Sequence, residues 1–226
     1  MSRWEQEINK ELDWREAELA SLKHFVISTR TNPIAHRSAL RAMCAMMYAH
    51  YEGFTKFCWD LALDEIHRAS VNRCDVLDPL AILSLEKVFS ELKGDLSPRN
   101  IWDFFQTKLP ADMAVAAEYV ADDSGKCRIS TDSNLWPRVF RSGIQQLGIE
   151  CSELDKRETH LKALVGRRNK IAHGEKMEIK DLAEYKPYED AAFAVMYQLG
   201  IAVVEYLDGR LYLKANAPVA VPAAGP

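Results

Sequence analysis

The stretch RAMCAMMYAHYEGFTKF, Arg41 to Phe57, decides the fold. With its neighbours it sets Leu40, Met43, Met47, Tyr51, Phe54, Phe57, Cys58 and Leu61 at helical spacing. These side chains cover much of the circumference rather than one stripe. A helix apolar over most of its surface must be covered on several sides, so it belongs at the centre of a bundle. Asn32-Pro33 supplies its start, an N-cap followed by proline at the first helical position. The pattern runs to about residue 68.

Before it, Trp4, Ile8, Leu12, Leu19, Leu22 and Val26 mark an amphipathic helix over roughly residues 3 to 30. After it the chain is choppier. Asp78-Pro79, Ser97-Pro98 and Leu109-Pro110 each open a short helical pattern, ADDSGKCRISTDSN (121–134) reads as a surface loop, and Trp136-Pro137 begins a short helix ending at Gly148. Ser152-Glu153-Leu154-Asp155 resembles a capping box. It opens a third long helix with an apolar stripe of Leu154, Leu161, Leu164, Val165 and Ile171, ending around His173 because Gly174 suits C′. A fourth runs from about Pro187 to Leu207, with Tyr188, Ala192, Val195, Leu199, Val203 and Tyr206 inward, and RLYLK (210–214) reads as a short extended piece. The expectation is an all-α, up-down bundle of four long helices. Residues 75–148 form an insertion of short helices and loops within one domain over 1–214, and 215–226 are a disordered Pro/Ala-rich tail.

The 226 residues are 48% hydrophobic, enough for a sizeable core, and carry a formal charge of −4. The surface as a whole is not built to attract nucleic acid, so any such site is a local basic patch. Five scattered cysteines without a C-x-x-C pair read as reduced thiols in a cytoplasmic protein. MSRWEQEINKELDW is charged rather than signal-like, and no run of about 18 apolar residues predicts a membrane span. No spacing predicts a metal site, a phosphate-cradling glycine loop or another cofactor.

GRRNKIAHGE, Gly166 to Glu175, is the basic patch. Asn169 and His173 are four apart and share a helix face. Arg168 points elsewhere, but its side chain is long enough to swing toward the helix end. His173 sits in the last turn, where the helix dipole favours positive charge. Forked guanidinium donors suit a phosphate, and a histidine there can move protons. Basic residues at a helix C-terminus are also ordinary dipole complements, and spacing alone does not separate the two readings. An echo at Arg30 to Arg37, RTNPIAHR, fails mechanically: Pro33 breaks the helix between Arg30 and His36, leaving His36 a first-turn surface histidine.

On the third long helix of an all-α bundle, RNKIAHG resembles the signature of the HEPN superfamily: an arginine, a polar residue directly after it, and a histidine beyond. Arg168, Asn169 and His173 occupy those places. Arg41 to Phe57 and NLWPRVFRSGIQQLG (134–148) resemble HEPN proteins of prokaryotic defence and toxin loci. The resemblance implies metal-independent RNA cleavage by a homodimer whose two motifs face one cleft. His173 would be the acid/base group, Arg168 the phosphate clamp, and Asn169 would orient ribose or histidine. The expected products are a 2′,3′-cyclic phosphate and a 5′-hydroxyl. The implied role is a toxin or abortive-infection effector cutting tRNA or mRNA, partnered by an antitoxin or a neighbouring defence protein. The alternative is a catalytically silent HEPN module that binds RNA or nucleotide, or scaffolds such a partner. HEPN toxins paired with nucleotidyltransferase antitoxins carry tyrosine two residues after the histidine; here that position is Glu175, which puts control by that route in doubt.

Around this motif, Arg167, Lys170 and Lys162 are candidates to extend an RNA track. Tyr48 and Glu52 share a face of the central helix, and a carboxylate on an apolar helix wants a partner. Arg168 fits, since such a pair would fix the guanidinium. His50 reads as packing or surface, Gly53 as a close helix approach, and Met43, Met46 and Met47 as core filler. Trp102, Phe104 and Phe105 read as core more readily than as a base-stacking platform.

Overall fold

Caps set where the long helices begin. Ser2 and Glu5 form a reciprocal capping box before α1 (Arg3–Ser28), with Ser2 Oγ accepting from Glu5 N at 3.3 Å and Glu5 Oε2 accepting from Ser2 N at 3.2 Å. Asn32 Oδ1 accepts from Ile34 N and Ala35 N, both at 3.2 Å, before α2 (Pro33–Arg68). The computed structural model describes residues 1–119 and 129–216, so most of the expected 121–134 loop, and the tail from 217 on, lie outside the described residues.

One helix start and one helix cap differ from the sequence expectation. The last helix, α9 (Leu182–Asp208), begins at an Asp181 cap, whose Oδ1 accepts from Glu184 N at 2.8 Å; Pro187 lies inside the helix. Pro187 is the sixth helical residue, so it removes the N–H that would bond Ala183 O; Ala183 is exposed, and water can serve that carbonyl instead. For α8 (Ser152–Ala172) the expected capping box does not form. Gln198 of α9 does that work across the bundle: its Oε1 accepts from Glu153 N at 2.6 Å and from the Cys151 thiol at 3.2 Å.

Between the two helix pairs run α3 (Asp78–Ser84), α4 (Glu86–Leu92), α5 (Pro98–Asp103), a π-helical turn (Phe104–Lys108), α6 (Leu109–Met113) and α7 (Pro137–Leu147). A proline opens α3, α5, α6 and α7, as read from sequence. The RLYLK segment is no strand: Leu213 makes one isolated antiparallel bridge to Val76. Leu77 N donates to Tyr212 O and Lys214 N to Asp75 O, both at 2.9 Å, tying the chain after α9 to the start of the insertion.

The protein is all-α, with α2 at the centre against α1, α8 and α9. Met43, Met47, Tyr51, Phe54, Cys58 and Trp59 are fully buried there, and Met46 packs at the edge. The aromatic trio of the insertion splits: Phe104 is core, whereas Trp102 and Phe105, three residues apart on one helical face, are 67% and 54% exposed, against expectation. His50 is buried, edge-on to Trp14 with ring centroids 5.2 Å apart. The close approach expected at Gly53 is elsewhere, since a Cβ there would meet only the Arg15 guanidinium at 3.6 Å. It is at Gly143 of α7, where a Cβ would lie 2.4 Å from the Trp59 ring. Gly143→Ala should therefore overpack the α2–α7 contact and cost about 1–3 kcal/mol, read as a lower urea midpoint. Helix α9 has mean hydropathy 1.3 over its most apolar 18-residue window, yet half of that window is buried in the bundle, as befits a core helix.

Candidate active site

Helix α8 ends in a Schellman turn. Gly174 takes φ 74°, Gly174 N donates to Ile171 O at 3.1 Å, and Glu175 N donates to Lys170 O at 2.9 Å. Glycine is required there because a left-handed residue carries no Cβ penalty only when it is glycine. Arg41 of α2 then holds the outgoing chain, donating from Nη1 to Glu175 O at 2.9 Å and Met177 O at 2.6 Å. His173 is thus the C-cap residue, exposed at a fixed helix end.

Arg168 is held from several directions. Its Cζ sits 4.3 Å over the Tyr48 ring. Nη1 donates to Asn134 Oδ1 and to Asn169 Oδ1, each at 2.9 Å. Glu52 lies behind, with Oε2 4.0 Å from Nη2. That distance is at the limit of an ion pair, and Glu52 spends its charge more closely elsewhere. Its Oε1 accepts from Thr131 Oγ1 at 2.7 Å and from Lys56 Nζ at 3.0 Å. Arg168 is therefore oriented without being neutralised, and its side chain keeps 27% exposure.

Burial alone would raise the Glu52 pKa, but hydrogen bonds from Thr131, Lys56 and Tyr48 outweigh it and hold the carboxyl below its ordinary value. A folded-state pKa depressed this way contributes stability that is complete above the unfolded value of 4.5 and is lost as pH falls through the folded value. Acid denaturation followed by circular dichroism should show that loss, and Glu52→Gln should remove the corresponding part of the pH dependence. Tyr48 stays a neutral phenol: burial first, and then Glu52, push it up to about 12 against the lowering effect of Leu135 N, which donates to its hydroxyl at 2.8 Å.

The sequence did not announce Thr131 or Asn134. Both arrive on the loop before α7, where Asp132 and Ser133 take φ 51° and 58°. Two successive left-handed residues that are not glycine cost free energy and persist only where surroundings fix them. Here the anchors are Thr131 to Glu52, Leu135 to Tyr48 and Asn134 to Arg168. The left-handed pair turns Thr131 and Asn134 to the same side.

The other basic candidates part company. Arg167 faces α9, not Arg168: it pairs with Glu184 at 2.5 Å, donates to Glu178 O at 3.1 Å and lies 5.1 Å from the Tyr188 ring. Its donors are taken up in joining α8 to α9, so it does not extend a track beside Arg168. Lys162 is exposed but pairs with Glu158 at 2.6 Å, which also accepts from Arg141 at 3.0 Å. Lys170 is exposed and meets no carboxylate among the described residues. Among these residues no three His, Cys, Asp or Glu side chains gather as a metal cradle. The arrangement offers an anion an aligned guanidinium that Glu52 compensates only from 4.0 Å, and offers a proton an exposed imidazole five residues further along α8.

A family model described as HEPN_MAE_28990-like HEPN matches residues 4–212. No curated protein and no solved structure matches the chain.

Proposed function

The chain belongs to the HEPN superfamily, and from that membership we propose that it is a metal-independent endoribonuclease with Arg168, Asn169 and His173 at its active site. The observation that carries the reading is the state of Arg168: aligned by Tyr48, Asn134 and Asn169, yet 4.0 Å from its nearest carboxylate. An arginine kept for structure is spent as Arg167 is. One kept for a phosphate is aligned and left with its charge.

In the proposed reaction a base removes the proton of a ribose 2′-hydroxyl, and the 2′-oxygen attacks the adjacent phosphorus. The P–O5′ bond breaks and the 5′-oxygen takes a proton, leaving a 2′,3′-cyclic phosphate and a 5′-hydroxyl. Arg168 meets the charge gathering on the phosphoryl oxygens. His173 carries one of the two protons. Asn169 holds the Arg168 fork and faces the ribose. One chain presents one such histidine, so the second proton carrier comes from the His173 of a second copy, and the enzyme acts as a homodimer. The reading extends to a cytoplasmic toxin or abortive-infection effector that cuts tRNA or mRNA and is restrained by an antitoxin or a neighbouring defence protein.

Inducing the chain in a bacterial host should arrest growth, and His173→Ala should relieve the arrest at equal protein level. Arrest that persists in the variant would overturn the reading. Asn134 is the subtler probe. Asn134→Ala removes one charge-assisted hydrogen bond from Arg168 and one anchor of the strained turn, and should lower kcat/KM for RNA about tenfold at a cost in stability of about 1–3 kcal/mol.

A further inference from the structure

We propose that the groove between α1 and α9, on the bundle face formed by those two helices, docks a basic amphipathic helix of a partner protein. The groove is about 490 Å³, and its apolar floor includes Ile8, Leu12, Ile201 and Val204. Gly200 keeps it open and close-packed: a Cβ there would lie 2.9 Å from Ile8 Cγ2. Ile201 is 60% exposed and Tyr197 42%, so α9 presents apolar surface that no other part of the described chain covers. A seam between two helices with such a floor matches the way an amphipathic helix lays its apolar face into a groove.

The rim says which helix. Glu5, Asp13, Glu16 and Glu205 line the groove, and no lysine or arginine does. Glu5 is engaged by the α1 cap and Glu16 accepts from the Tyr197 hydroxyl, but Asp13 and Glu205 have no ion-pair partner among the described residues. Burial first, and then Glu16, Asp13 and Glu189, push Tyr197 up to about 12. A second copy of this chain is a poor occupant, because a two-fold contact through the groove would set these carboxylates against their own counterparts. Lysine or arginine flanking an apolar stripe answers both features.

The test uses the full chain and a fluorescein-labelled synthetic helix with leucine at i, i+3, i+4 and i+7 and lysine elsewhere. A peptide of the same composition in scrambled order is its control, and anisotropy is the readout. The expected result is saturable binding of the amphipathic peptide alone, weakened about tenfold by Ile201→Ser and by the pair Asp13→Asn and Glu205→Gln. All three positions are exposed, and an unchanged helical circular dichroism spectrum certifies the fold. Equal binding of the scrambled peptide, or unchanged binding by the variants, overturns the proposal. So does loss of self-association in Ile201→Ser by sedimentation, which would make a second copy the occupant. None of these residues contacts Arg168 or Glu52, so RNA cleavage stays constant in every variant that keeps its self-association, and failure of peptide binding leaves the nuclease reading standing.

Discussion

His173→Ala is expected to lower RNA cleavage by about 10²–10⁴-fold, the range for removing a positioned acid or base. The position of the residue separates chemistry from folding. It caps α8, is exposed, and makes no side-chain hydrogen bond among the described residues, so alanine removes no packing and no partner. The Schellman turn that fixes it is made by Gly174 and backbone groups, which the substitution leaves in place. Unfolding by urea should be nearly unchanged, within about 0.5 kcal/mol. A large loss of rate with no loss of stability is the signature of chemistry.

Arg168 gives the second large effect. Arg168→Ala should cost about 10²–10³-fold in kcat, as removal of a preorganised donor to a transition-state oxygen does. Arg168→Lys should recover little. An ammonium cannot lie flat on Tyr48 while donating to both Asn134 and Asn169, and it would sit as a point charge on a mobile stem. Arg167→Ala is the internal control. It breaks the Glu184 pair and the donation to Glu178 O, so it should lower stability while leaving cleavage by the folded protein close to wild type.

Much of the bundle was legible because its signals are local. Pro33 behind Asn32 and the nearly all-round apolar surface of Arg41 to Phe57 mark α2 without reference to the rest of the chain. The start of α9 was not, because Pro187 mimics a first helical residue and hides the Asp181 cap one turn and a half earlier. The start of α8 was read at Ser152, but its capping partner was not: that is Gln198, 45 residues away from Glu153.

The neighbourhood of Arg168 divides the same way. Arg168, Asn169 and His173 are close in sequence on one helix, and Tyr48 and Glu52 stand out as polar groups on an apolar one. Thr131 and Asn134 reach the site by tertiary contact, across 79 residues to Glu52 and 34 to Arg168, on a loop whose left-handed turn has no glycine to mark it. Arg167 and Arg168 are the same residue type side by side. Only the positions of Glu184 and Tyr188 on α9 decide which is held for structure and which for an anion.

The most direct test is cleavage of total tRNA and a long mRNA by the purified protein in EDTA, with the new ends identified. The expected result is 2′,3′-cyclic phosphate and 5′-hydroxyl ends from the wild type, and intact RNA with His173→Ala and Arg168→Ala. Intact RNA with a folded, dimeric wild type, or ends carrying a 5′-phosphate, would contradict it.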